Sequence, residues 1–446
     1  GEVYIALDRL TGTNVALKRV LHAPQELLFS PHLQLRDSTY TETDLRRVLA
    51  SEFRILASLR HPHIISVLDY GFDEANFPYY TMVLLEEAKT VLEAAQSLNL
   101  EGRIQLFAAI LQALAYLHRR SILHGDLKPS NILVDKHNAI KLLDFGLATH
   151  EHRQNSSGTL AYTPPELLRR EPATPQSDLY SLGIVAYQVF AGRYPFNGET
   201  VHQLIDQILR EMPDMDVLPE SVRLIIFRML MKDPTDRYPD VEMALADLSD
   251  FNTSMIVIED EAMRESFLQA ARFVGRDHEL NLMTRQLDQI IKNAQSEFPN
   301  AGGGRELGSA FLIGGESGTG KSRLLEELRI HALLHGALVL RGQCVAETGT
   351  PFQMWRDVIR RLLIETDVSD LEAGILGEII PDISILLDRP ISPVPALDVN
   401  SARNRLVETI VGVFQRQTQP IVLILSLIHI SEPTRLRRIS YAVFCL

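Results

Sequence analysis

The sequence is short of several things. It has only two cysteines, Cys344 and Cys445. Neither has metal-ligand spacing, so a disulfide framework and a cysteine-built zinc site are excluded, and a reducing, cytoplasmic setting is expected. No apolar run is long enough for a membrane span: the most apolar stretch, Ile421 to Ile430, is well under the roughly 20 residues a bilayer needs. Positive charge is in deficit, with 44 Lys and Arg against 57 Asp and Glu and a net charge of −13. That balance argues against nucleic acid and anionic membrane surfaces as partners. Internal repeats and long low-complexity tracts are missing too. What remains is 46% hydrophobic and 23% charged, the make-up of soluble globular protein, in a length suited to two or three domains.

The pattern changes along the chain. VYIALDRLTGTNVALKRV, residues 3–20, alternates like a hairpin around Thr11, Gly12 and Thr13. A polar, proline-containing stretch runs to about Thr43, followed by the helical DLRRVLASEFRILASL and the strand-like IISVLDYGF and YYTMVLLEE. From about Leu100 helices dominate: RIQLFAAILQALAYLHRR, DLYSLGIVAYQVFAG and SVRLIIFRMLMKD. The first ~250 residues therefore read as a small β-rich lobe followed by a helical lobe. Residues 251–272 read as a linker. Then AFLIGGESGTGKSRLLEELRIHALL reads as strand, glycine-rich loop and helix.

In the first part, HGDLKPSN spans His124 to Asn131, DFG spans Asp144 to Gly146, Lys18 sits in VALK, and Glu52 lies on the next helix. Phosphoryl transfer from ATP needs positioning and charge neutralisation more than covalent chemistry. Asp126 can accept the proton of a substrate hydroxyl, and Lys128 can reach the transferring phosphate. Asn131 and Asp144 offer hard oxygen ligands for Mg2+. Lys18 can bind the α- and β-phosphates if Glu52 holds its ammonium.

This ordered set resembles the eukaryotic-like serine/threonine protein kinase family over roughly residues 1–250. The resemblance implies an α+β bilobal kinase fold that takes ATP and a protein substrate bearing Ser or Thr. It implies that Val3, Ala16, Met82, Leu85 and Leu133 line the nucleotide, with Met82 to Leu85 as the hinge beside adenine. It also implies that GTLAYTPPE, residues 158–166, ends the activation segment, that Asp178 braces the catalytic loop, and that Arg237 pairs with Glu166.

Three departures bear on mechanism. Gly125 stands where many family members have an arginine that grips an activation-loop phosphate. Either Gly125 is a harmless variant, or activity does not require phosphorylation at Ser156, Ser157 or Thr159. The connection from Lys18 to Glu52 is long, read as a disordered insert or as a docking surface that controls that pair. Finally, only the tail of the family's glycine-rich loop is present, as Gly1-Glu2-Val3. The expected result is an unpaired sheet edge and weak kinase activity in this polypeptide.

The second part carries a P-loop. Gly315-Glu316-Ser317-Gly318-Thr319-Gly320-Lys321-Ser322 fits the phosphate-loop pattern between a strand and a helix. Backbone N–H groups freed by Gly315, Gly318 and Gly320 would face phosphate, Lys321 would reach the β- and γ-phosphates, and Ser322 would hold Mg2+. With FVGRDHEL upstream, residues 273–280, this resembles an AAA/STAND-type signalling ATPase. Arg276 there either approaches the nucleotide or simply starts a helix. The expectation is an incomplete α/β P-loop NTPase domain over residues 273–424, with oligomerisation through it in the parent protein. Trp355 is read as packing.

The strand IVLIL should be followed by an acidic pair, and LSLIHISEPTR stands there instead. Leu425 to Arg435 and Ile439 to Leu446 resemble the in-frame translation of the two arms of a transposase-type sequencing adapter. On that reading residues 425–446 are an artefactual tail.

The whole reads as a serine/threonine kinase joined to a nucleotide-dependent switch. The alternative is a nucleotide-binding pseudokinase scaffold. The Gly125 departure yields a test: replacing Ser156 and Ser157 with alanine in the parent protein is expected to leave the phosphotransfer rate nearly unchanged, and a large loss would end the idea that the loop needs no phosphate.

Overall fold

A computed structural model describes residues 2–19, 50, 52–73, 77–144, 160–198, 200–251, 275–295, 309–316, 319–343, 352–395, 397–426 and 439–445. Outside these lie most of the Lys18–Glu52 connection, Phe145 and Gly146, the segment with Ser156, Ser157 and Thr159, most of the linker, and Gly318. The chain divides into two compact units, one holding residues 16–69 and 74–272 among others, the other centred on residues 273–446.

The chain begins with the expected hairpin, β1 (Glu2–Asp8) and β2 (Thr13–Arg19). Gly12 closes it with φ 70°, a left-handed conformation that costs glycine nothing sterically. With β3 (Val67–Phe72) and β4 (Pro78–Val83) these strands form a sheet in the order β1-β2-β4-β3. β1 is an edge strand, with Val3, Ile5 and Leu7 exposed. On β4, alternation buries Pro78, Tyr80 and Met82 on one face.

A small sheet, β5 (Lys89–Thr90), β6 (Ile132–Val134) and β7 (Ile140–Leu142), carries the segment between Leu127 and Asp144. Around it pack helices whose starts are written in the sequence. Thr90 and Glu93 form a capping box for α1 (Val91–Ser97). The Asn99 side chain accepts from Gly102 N at 2.9 Å to start α2 (Leu100–Arg119). Gly192 at φ 71° ends α3 (Pro175–Ala191). α2 and α3 are buried over most of their length. α4 (Val201–Arg210), α5 (Glu220–Met229) and α6 (Val241–Phe251) complete the helical part.

One fully buried ion pair fixes this part. Arg237 donates from both terminal nitrogens to the two Glu166 carboxylate oxygens, each at 2.8 Å, and caps the carbonyls of Met231 and Gln176. Ser177 donates to the same carboxylate at 2.7 Å. The guanidinium has no freedom left, and both charges are satisfied.

The second unit opens with α7 (Asp277–Gln295) and holds a sheet in the order β8-β11-β10-β9, made of β8 (Ser309–Gly314), β9 (Leu338–Gln343), β10 (Ile421–Ser426) and β11 (Ile439–Cys445). β10 is buried and parallel to β9, as IVLIL suggested. α8 (Lys321–Leu334) follows the phosphate loop, and α9 (Gln353–Glu365) packs on the other side of β9 with α10 (Val399–Arg416). Trp355 packs edge-on against Phe414 at 6.3 Å in that core.

Residues on both sides of the expected boundary at 425 take part in the sheet. β10 continues through Ser426, and residues 439–445 pair antiparallel with both β8 and β10. Backbone pairing uses groups that every residue carries, so a β-branched, apolar segment can occupy a strand slot whatever its origin.

Burial of the Glu166–Arg237 pair yields a test. Burial alone would raise the Glu166 carboxyl; hydrogen bonds and charge from Arg237 outweigh it and hold the group below its usual range. Its contribution to stability is therefore present above the unfolded pKa and lost as pH falls through the folded one. Arg237→Leu strands the carboxylate and is expected to cost the first unit about 3–5 kcal/mol, read as a lower urea midpoint at neutral pH. An unchanged midpoint would contradict this account.

Candidate active site and phosphate loop

β2 alternation puts Ala16 and Lys18 on one face of the sheet. Lys18 is nearly buried, and its Nζ lies 2.8 Å from Glu52 Oε1 and 2.7 Å from Asp144 Oδ1. Glu52 reaches it from the helical segment 52–58. Tyr80, which sequence reasoning did not single out, donates its hydroxyl to the same Glu52 oxygen at 2.9 Å, with its ring 5.7 Å from Lys18 Nζ. Burial alone would lower the Lys18 pKa; the two carboxylates outweigh it and raise it, so the ammonium stays charged. Burial pushes the Glu52 carboxyl up, with Lys18 pulling against it.

Across from this cluster the loop after α2 is shaped by Asp178. This carboxylate, on α3, accepts from His124 N and Gly125 N at 2.8 Å each. Its third partner is His118, with Nε2 2.8 Å from Asp178 Oδ2. Burial alone would raise the Asp178 carboxyl; His118 and the loop amides outweigh it and hold it low. Gly125 has φ 74°, so glycine meets the turn that aims both amides at Asp178 without the Cβ clash other residues would suffer. That geometric role went unread in the sequence, where Gly125 registered only as a missing arginine.

The turn delivers Asp126, Lys128 and Asn131 together. Lys128 Nζ lies 2.8 Å from Asp126 Oδ2. Asn131 Nδ2 donates to Asp126 O at 2.8 Å and to Asp126 Oδ2 at 3.0 Å. Leu143 N donates to Asn131 O at 3.0 Å, which ties Asp144 to the same loop. Asp144 itself sits at φ 49°, an uncommon conformation for a residue with a Cβ. Six of the expected residues, Lys18, Glu52, Asp126, Lys128, Asn131 and Asp144, thus form two linked clusters in one unit. Of the expected nucleotide-lining residues, Ala16 and Met82 are buried, Leu85 follows β4, Leu133 is half-buried on β6, and Val3 is exposed on the edge strand. Asn131 and Asp144, tied through the Leu143 amide, offer an amide oxygen and a carboxylate, a donor set suited to Mg2+, with Lys18 beside Asp144 for a polyphosphate.

In the second unit, Gly315 has φ 159° and Gly320 has φ 83°, the latter as the N-cap of α8. A Cβ on Gly315 would come within 3.0 Å of Thr319 Oγ1. Lys321 Nζ lies 2.9 Å from Gly315 O and 2.6 Å from Glu316 O, so it curls over the loop. Ser322 is exposed at the start of α8. Arg276 pairs with Glu279 at 2.9 Å and brings Nη2 to 3.5 Å from Thr319 O. Arg276 stands just before α7, its carbonyl accepts from Leu280 N at 3.0 Å, and its side chain also borders the loop.

Comparison with known proteins agrees with this division. The family model "Protein kinase domain" matches residues 1–247, and "AAA ATPase domain" matches residues 272–440, beyond the expected boundary at 424. The chain is 30% identical over 325 residues to serine/threonine-protein kinase PrkC of Bacillus subtilis, covering 68% of this chain and 47% of the relative. It is 32% identical over 266 residues to the probable serine/threonine-protein kinase SCO3848 of Streptomyces coelicolor, covering 55% and 37%. To serine/threonine-protein kinase PknB of Mycobacterium tuberculosis it is 31% identical over 269 residues, covering 55% and 40%. It thus spans less than half the length of these curated relatives. With more than half of its own length matched by the kinase model, the chain belongs to the protein kinase family, and an AAA-type ATPase domain follows its kinase domain.

Proposed function

We propose that the protein is a serine/threonine kinase whose output is governed by a STAND-type nucleotide switch. The observation that carries this is the contact of Lys18 with both Glu52 and Asp144 while Asn131 holds Asp126. The Lys18–Glu52–Asp144 cluster and the Asp126–Asn131 pair come from separate parts of the sequence, each is held by its own hydrogen bonds, and the Leu143 amide links them; phosphoryl transfer requires groups of these kinds.

Lys18, held by Glu52, takes the α- and β-phosphates of ATP. The amide oxygen of Asn131 and the Asp144 carboxylate would hold Mg2+, which when bound neutralises phosphate charge. Ala16 and Leu133 sandwich adenine, beside a hinge from Met82 to Leu85, and Val3 flanks the phosphates. Asp126 accepts the proton as the substrate Ser or Thr oxygen bonds to the γ-phosphorus. The bond from that phosphorus to the β–γ bridging oxygen breaks, and ADP leaves. Lys128, beside Asp126, balances charge on the moving phosphoryl group.

In the second domain the proposed ligand is a nucleoside triphosphate. Gly315, Gly318 and Gly320 open the loop to its phosphates, Lys321 leaves the loop carbonyls for the β- and γ-phosphates, and Ser322 would hold a second Mg2+. The proposed division is a kinase domain over 1–250, a linker over 251–272 and the ATPase over 273–424, with 425–446 adapter-derived. The setting proposed is cytoplasmic, with assembly through the ATPase in the parent protein. Among the described residues no helix is long and apolar enough to cross a membrane.

Two variants test the reading. Transfer of labelled γ-phosphate to a generic protein, however slow in this chain, is expected to fall about 10²- to 10⁴-fold in Asp126→Asn. An unchanged rate would instead leave a nucleotide-binding scaffold. Lys321→Ala is expected to remove one nucleotide site from the binding stoichiometry and leave transfer to the generic protein intact.

A further inference from the structure

Far from the phosphate loop, the second unit brings together three side chains that neither nucleotide site uses. Asp288 lies on α7, His331 on the last turn of α8, and His335 is the residue that caps α8. A carboxylate oxygen of Asp288 and one ring nitrogen from each histidine all lie within 4.8 Å of one another.

We propose that Asp288, His331 and His335 form a binding site for a divalent transition-metal cation of the zinc class. Three independent features support this. The first is placement: the i, i+4 spacing puts both imidazoles on one helix face, where they stack with ring centroids 4.1 Å apart and 29° between planes. Asp288 reaches them from the neighbouring helix, its Oδ1 2.8 Å from His331 Nε2. The second is orientation. His335 Nδ1 lies 2.7 Å from the His331 carbonyl oxygen, and an N–H donated there leaves the Nε2 lone pair for a cation. Ligating imidazoles are commonly fixed through their other nitrogen in this way. The third is the field: the C-terminal end of α8 carries the negative pole of the helix, which favours a cation over an anion.

The donor set selects the metal. Two imidazoles and one carboxylate match zinc or a neighbouring first-row divalent ion, whereas Mg2+ and Ca2+ want more oxygen ligands. Zinc bonds of roughly 2.0–2.2 Å would place the ligand atoms about 3.3 Å apart, so side-chain rotation suffices to close the site. His335 is exposed, leaving the fourth position to water.

The cation would tie α7 to the end of α8, the helix whose other end forms the phosphate loop. With 14 residues, α8 is about 20 Å long, so the metal takes no part in chemistry at the loop. It acts as a staple on the ATPase unit and makes that unit's stability respond to zinc.

The experiment uses the full chain, stripped with a chelator and titrated with ZnCl2 against a chromophoric competitor in excess Mg2+. The chain has 14 histidines, so the comparison between variants decides. His335→Ala removes only an exposed side chain, and Asp288→Asn keeps its shape. Each is expected to weaken the tightest zinc site about tenfold or more. Zinc is also expected to raise the unfolding midpoint of the second unit in the unmodified chain and not in His335→Ala. His335→Gln, checked for unchanged circular dichroism, repeats the comparison with size preserved. No saturable zinc binding to the unmodified chain would overturn the proposal, as would variants that keep its affinity and midpoint shift.

Discussion

The kinase unit turns on one buried ammonium. Lys18 is held between Glu52 and Asp144, and each of the three comes from a different segment. Taking the Lys18 and Glu52 charges out of water is costly, and leaving either of them alone there is costlier still. The segments must therefore arrive together or not at all. Tyr80 tightens the constraint, since its hydroxyl occupies a Glu52 oxygen that would otherwise keep water beside the pair. This charge balance positions a strand, a helix and the end of a loop.

The helical part meets the same demand with different groups. Asp178 is a buried carboxylate satisfied by two backbone amides and His118. Glu166 is satisfied by Arg237 and Ser177. Both acids sit against α3, the most thoroughly buried helix of the unit. The loop with Asp126 and Asn131 is thereby held to a rigid support, so its side chains keep their places without help from substrate.

Much of this was legible in the sequence because the chemistry-bearing residues stand in ordered motifs: Lys18 in a strand, Asp126 to Asn131 in one loop, Asp144 just beyond β7, and Lys321 between glycines and a helix. Strand and helix identities followed from periodicity, as in β2, β10 and α2. Tyr80 and His118 escaped notice for a physical reason. Each acts through a single hydrogen bond to a residue far along the chain, and tyrosine on a buried strand face looks like any other core aromatic. Gly125 escaped because its backbone dihedral, not its missing side chain, is what the turn uses. The Asp288–His331–His335 group was invisible because its members come from helices separated by the sheet strand β8.

The direction of β11 matters for the second unit. β8, β9 and β10 run the same way, while β11 lies antiparallel between β8 and β10. Ile439 is opposite Gly314, and Cys445 is opposite Ser309. In sheets of this kind, the loops leaving the carboxyl ends of the strands surround the bound nucleotide. In this column the chain departs toward the far rim, away from Gly315. The Ile439 end of β11 stands at the rim of the phosphate loop, and the Cys445 end at the opposite rim.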